Sequence, residues 1–169
     1  MNDDEKKDQL IENDPDHTYY EEVYKAFLNS VDSYELAQMD DEELKERLYG
    51  YLDAGRVVFE TYISEDFYDD DPEKGRFNFK MKRYEIALLA KAMKLEWVRQ
   101  QKHSEELMRK AIGDRDYTSD KGYQYLDRLQ AMEKQLSREI MTTINRIEYA
   151  DRDLYGDMKW AFQIYTTRR

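Results

Sequence analysis

Residues 120–149 carry one uninterrupted apolar pattern, in which Leu126, Leu129, Leu136, Ile140, Ile144 and Ile147 step by 3, 7, 4, 4 and 3. Those steps keep all six side chains on one stripe of an α-helix. At about 1.5 Å per residue the segment makes a rod of about 45 Å. That is longer than a chain of 169 residues needs for its own core, so part of the rod is expected to pack on other molecules. With only six Gly and two Pro, the chain has few forced breaks elsewhere, and long helices are expected throughout.

Upstream segments repeat the helical period. In "HTYYEEVYKAFLNSV", Tyr20, Val23, Tyr24, Phe27, Leu28 and Val31 follow i, i+3, i+4, i+7 spacing, with Thr18 as the expected N-cap and Glu21 as its capping-box partner. In "MDDEELKERLYGYLDAGRVVFETYI", Asp40 or Asp41 caps, acidic residues fill the first turn, and Leu44, Leu48, Tyr51 and Leu52 form the stripe. Gly50 and Gly55 each cost a helix about 1 kcal/mol against Ala, so a bend or an end is expected near Gly55. "RVVFETYI" beyond it is read as helical. "KMKRYEIALLAKAMKLEWVRQQ", apolar over a broad arc, is expected to be the central helix, and "SEELMRKAIG" a short separate one capped by Ser104 and closed by Gly113.

Two stretches break this pattern. In "SEDFYDDDPEKGRFNF", Asp71-Pro72-Glu73-Lys74-Gly75 has the residues of a tight turn, so loop 64–79 reads as a projecting hairpin or ordered loop. Phe67 and Tyr68 on one side and Phe77 and Phe79 on the other would form an exposed aromatic contact element. In "DMKWAFQIYTTRR", Met158, Trp160, Phe162 and Ile164 alternate with Lys159, Ala161, Gln163 and Tyr165, which is the period of a strand. With no sheet of its own to join, this strand is expected to add to a sheet edge on a partner, with Arg168 and Arg169 making charged contacts beyond it. The other reading is a tail folded back over the helices. The chain thus divides into a flexible acidic arm at 1–16, a helical domain at 17–149 and a C-terminal arm at 150–169.

Charge is uneven. Residues 1–75 hold 24 Asp/Glu against 7 Lys/Arg, and residues 76–169 hold 14 against 20, balances of −17 and +6. A dipolar chain suits head-to-tail association or two partners of opposite sign. Aromatics at 14%, fifteen of them Tyr, argue against a disordered chain. The absence of Cys removes disulfides, thiolate metal sites and thiol nucleophiles. There is no apolar run of transmembrane length and no signal-peptide pattern, and assembly in the cytoplasm is expected.

Chemical motifs are sparse. His17 and His103 stand apart without a partner at ligand spacing, and no phosphate-cradle or nucleophile-elbow motif occurs. "DRDYTSD" sets Asp114, Asp116, Thr118 and Asp120 at alternate positions like an EF-hand loop. Ser119 replaces the required Gly and Tyr125 the required Glu, so Ser119 or Asp120 reads better as a cap for the next helix. Lys80, Lys82, Arg83, Lys91 and Lys94 are interleaved with acids, which disfavours a nucleic-acid stripe. No catalytic residue, cofactor site or metal site is expected.

Residues 84–146 resemble the small helical head–tail connector proteins of tailed bacteriophages. The resemblance lies in an apolar helix ending Leu95-Glu96-Trp97-Val98, a Gly113-Asp114-x-Asp116-Tyr117 link, and a long final helix. It implies an all-α bundle of four or five helices with a long C-terminal helix, a projecting loop and an extended C-terminal arm. It further implies a non-enzymatic virion protein of the neck, assembled in the host cytoplasm as a homo-oligomeric ring, commonly of twelve subunits. Such a ring would join the portal protein to tail components or a second neck protein, and DNA would pass through it without specific binding. Trp160, Phe162, Ile164, Tyr165, Arg168 and Arg169 would then bind the portal, with Phe67, Tyr68, Phe77 and Phe79 as a second contact. The alternative is an acidic regulatory or inhibitory binding protein of the DNA-mimic type; a carboxylate-based metal enzyme is a third reading.

Overall fold

A computed structural model describes residues 16–60, 67–112 and 120–151 of the chain. It is an all-α bundle with one small sheet. The elements run β1 (Thr18–Tyr19), α1 (Tyr20–Leu28), α2 (Tyr34–Gln38), α3 (Asp41–Arg56), β2 (Asp70–Asp71), β3 (Arg76–Phe77), α4 (Arg83–Ile112) and α5 (Asp120–Asp151). Residues 1–15 of the expected N-terminal arm lie outside the described residues.

Local chemistry accounts for the helix starts. Asp40 Oδ1 accepts from Glu43 N at 2.9 Å and caps α3. Ser33 Oγ accepts from Leu36 N at 3.4 Å and starts α2. At α1 the expected cap is displaced by one residue: Glu22, not Glu21, reaches back to the N–H of Tyr19. Thr18 is taken by the sheet instead, and its Oγ1 accepts from Met81 N at 2.8 Å, tying β1 to the segment entering α4. α3 runs through both glycines to Arg56 and tightens into a 3₁₀ turn at Val57–Phe59, where the sequence reads as continuing α-helix.

The sequence also reads residues 104–112 as a separate helix, and this is corrected: α4 is continuous from Arg83 to Ile112. No Gly or Pro interrupts its hydrogen-bond ladder around Ser104. The same region is pinned to α5, with Lys102 Nζ 2.6 Å from Glu133 Oε2 and Arg99 Nε 3.4 Å from Glu133 Oε1.

α4 is the central helix and packs against α1, α3 and α5. Its Leu88, Leu89, Ala92, Met93, Leu95 and Val98 are buried among Val23 and Phe27 of α1 and Leu48 and Leu52 of α3. α5 contributes Leu129, Leu136, Ile140 and Ile144 to the same core.

β3 is the middle strand of an antiparallel sheet ordered β1-β3-β2, pairing Phe77 with Thr18 on one side and with Asp70 on the other. β2 and β3 are joined by the Pro72–Gly75 turn, in which Lys74 N donates to Asp71 O at 3.2 Å and Gly75 takes φ +64°. The left-handed backbone at Gly75 is what a side chain would resist. This sheet corrects the sequence reading, in which no internal sheet is available.

Candidate interaction site

The hairpin does not project. Phe77 is fully buried and Phe67 almost so, while Phe79 packs against them from a half-buried position. Their rings form a chain with Phe59 and Tyr20: Phe59–Phe67 at 5.1 Å, Phe67–Phe79 at 6.2 Å, Phe77–Phe79 at 5.9 Å and Tyr20–Phe77 at 5.0 Å between centroids. The exposed aromatic contact expected of Phe67, Phe77 and Phe79 is therefore corrected to a core cluster. Burying these rings against α1 and the end of α3 removes more apolar surface from water than an isolated hairpin could. Tyr68 alone of the four stays largely exposed.

What anchors the hairpin is a residue the sequence reading passes over. Arg56, at the last turn of α3, is 2% exposed. Its Nη1 donates to Asp70 Oδ2 at 2.8 Å and to Phe67 O at 3.2 Å. The Tyr20 hydroxyl donates to the same Asp70 oxygen. Nε and Nη2 of Arg56 make no hydrogen bond to the described residues. The guanidinium instead lies over the rings of Tyr49, Tyr68 and Phe77, at 5.6, 5.3 and 5.8 Å from their centroids, where cation–π attraction offsets part of the lost hydration. Burial alone would depress the Arg56 pKa, but the carboxylate of Asp70 outweighs it and the group is held more firmly charged than usual. Burial and the bond to Asp70 push the Tyr20 hydroxyl far above its ordinary value, and burial does the same at Tyr24. The signal available in the sequence was a lone cation next to Val57-Val58-Phe59, with the acidic run 69–71 as its possible counter-charge.

Open grooves mark the surface of the described residues. One, of about 510 Å³, lies between α3 and α4 and carries Glu43, Glu46, Arg47, Glu96 and Gln100 on its rim. A second, of about 520 Å³, sits beside the hairpin turn under Tyr19, Tyr24, Tyr49 and Lys74. Another, of about 490 Å³, runs between α1 and α5 over α4; Ala26, Ala87, Ala90, Met132 and Leu136 give it most of its exposed lining, and Ser30, Lys91, Lys94, Gln135 and Glu139 edge it with polar groups. Separately, Leu107 and Met108 of α4 and Tyr125, Met132 and Tyr149 of α5 stand exposed.

Four of the basic residues considered for nucleic acid are engaged locally, Lys82 by donating to the Tyr84 hydroxyl at 3.5 Å. Lys80 donates to His17 O, Lys91 pairs with Glu139 at 2.9 Å, and Lys94 donates to Ser30 O. No group of three or more His, Cys, Asp or Glu that could hold a metal occurs among the described residues. No described helix is long and apolar enough to cross a membrane. Trp160, Phe162, Ile164, Tyr165, Arg168 and Arg169 lie outside the described residues, as does the 114–119 segment of the EF-hand-like run.

No family model, curated protein or solved structure matches this chain.

Proposed function

We propose that the chain is a structural ring subunit of a tailed-bacteriophage neck, joining the portal to tail components without catalysis. The observation that carries this reading is the one-sided packing of α5. Its stripe from Leu126 to Ile144 is buried, chiefly against α4, while Tyr125, Met132 and Tyr149 remain exposed along the same rod. A long helix that buries one stripe and still exposes large apolar side chains is what a lateral subunit contact requires. The acidic half of the chain, with Asp41, Glu42, Glu43, Glu46 and Asp53 exposed on α3, would suit a conduit wall that does not retain DNA.

The same acidic row favours the second reading, a DNA-mimic binding protein. Mixing the purified chain with the portal protein of its own phage and imaging the product separates the two. The neck reading expects rings seated on the portal. A chain that stays monomeric, ignores the portal and binds a nucleic-acid enzyme in a salt-sensitive way would replace that reading with the second.

A further inference from the structure

We propose that the apolar groove between α1 and α5 is the docking site of the chain's own residues 158–164. The inference does not rest on the neck reading; within that reading the segment would leave the groove when the portal takes it.

The groove is open, and its lining is mostly apolar. Ala26, Ala87 and Ala90 keep it shallow, so a segment lying in it comes close to the helix backbones, and Met132 and Leu136 form the α5 wall. Alternation in Met158, Trp160, Phe162 and Ile164 places four large apolar groups on one face of an extended segment. Lys159, Gln163 and Tyr165 are left on the other. Such a segment seals an apolar groove with one face and keeps the other in water.

Chain length singles out this occupant. α5 runs on from Glu139 in the groove wall to Asp151, twelve residues or about 18 Å at helical rise. An extended chain covers about 3.3 Å per residue, so a return that begins after a two-residue turn beyond Asp151 draws level with Glu139 at about Met158. Trp160 and Phe162 then fall at about the levels of Leu136 and Met132, the two apolar residues of the α5 wall. Residues 1–15, the other candidate within the chain, offer only Leu10 and Ile11 beyond Met1.

The test is hydrogen exchange on the full chain, at a concentration where it is monomeric. The amides of residues 158–164 should exchange at least about tenfold more slowly than a free peptide, independently of protein concentration. Ala87→Glu and Met132→Glu, both at exposed positions, should restore the free-peptide rate while leaving the melting curve of the helices in place. Free-peptide exchange in the unsubstituted chain would overturn the proposal, and so would unchanged protection in both variants. Protection that rises with protein concentration would mean a second copy supplies the segment. The natural chain has no Cys, which allows a second measurement. Met132→Cys combined with Phe162→Cys should form a disulfide within the monomer, whereas cross-linked dimers alone would overturn the proposal. Loss of portal binding or ring formation would leave these readouts untouched, so the two readings fail separately.

Discussion

Arg56 and Asp70 meet at 2.8 Å across fourteen residues of chain, and this buried ion pair fastens the β2–β3 hairpin to the end of α3. A buried pair adds little net stability over an apolar replacement, yet removing one partner strands the other charge. Among the described residues, Asp70→Ala leaves Arg56 with only Phe67 O as a hydrogen-bond acceptor. Urea denaturation should show a loss of about 3–5 kcal/mol for Asp70→Ala. The double variant Arg56→Met, Asp70→Ala should lose clearly less than the sum of its two single losses. Additive losses would show that the pair is not coupled.

The two glycines of α3 should respond in opposite directions. A Cβ at Gly55 would lie 3.1 Å from Met93 N and 3.3 Å from the Ala92 carbonyl carbon, both backbone atoms of α4. Neither can move without shifting a helix, so Gly55→Ala should cost about 1–3 kcal/mol. At Gly50 nothing lies within 4 Å, and Ala there should stabilise the fold by up to about 1 kcal/mol through helix propensity. Thermal melts of the two variants check the signs directly.

These positions also show what a sequence can and cannot disclose. Asp40 capping α3, the Pro72–Gly75 turn and the buried stripe from Leu126 to Ile144 are local or periodic, and all three were legible. The hairpin's direction was not. Phe77 pairs with Thr18, whose neighbours carry helical periodicity, and strands of two residues have no period to detect. Ser104 resembles an N-cap in isolation, but α4 passes through it, next to the ion pairs that tie Arg99 and Lys102 to α5. Gly55 reads as a helix breaker, and its role as the close-contact point with α4 depends on a partner nearly forty residues away.

Alkaline pH should weaken the fold through the buried tyrosines. Burial raises the Tyr24 hydroxyl above its ordinary value of 10.0 in the folded chain. Folding therefore favours the protonated form, and this contribution is complete below the unfolded value of about 10 and lost as pH rises past it. Unfolding free energy measured on both sides of that pH should fall on the alkaline side. Tyr24→Phe should flatten the fall. An equally steep decline in Tyr24→Phe would place its origin elsewhere.

Leu136 is buried in the seam between α5 and α4. Leu136→Asp places an unpaired carboxylate there and should cost about 3 kcal/mol or more. Gln130→Asp, on the exposed side of the same helix, should cost less than about 1 kcal/mol. Similar midpoints in urea for the two variants would mean that the α5 stripe is not part of the cooperative core.

Replacing residues 67–79 with a Gly/Ser linker should unfold the isolated chain. A projecting contact loop could be removed with only assembly suffering, but this hairpin supplies Phe67 and Phe77 to the core and Asp70 to Arg56. Truncating a buried Phe alone typically costs about 3–5 kcal/mol, and stranding the guanidinium adds a penalty of the same order. The sum approaches the whole stability of an ordinary domain, about 5–15 kcal/mol. Pro72→Gly-Gly, by contrast, lengthens the exposed turn by one residue and touches none of these groups, so it should cost no more than about 1–2 kcal/mol. Circular dichroism of the purified proteins decides the matter. A replacement chain that keeps its helical signal and cooperative melt would show that the ring cluster of Phe59, Phe67, Phe77 and Phe79 is dispensable to the bundle.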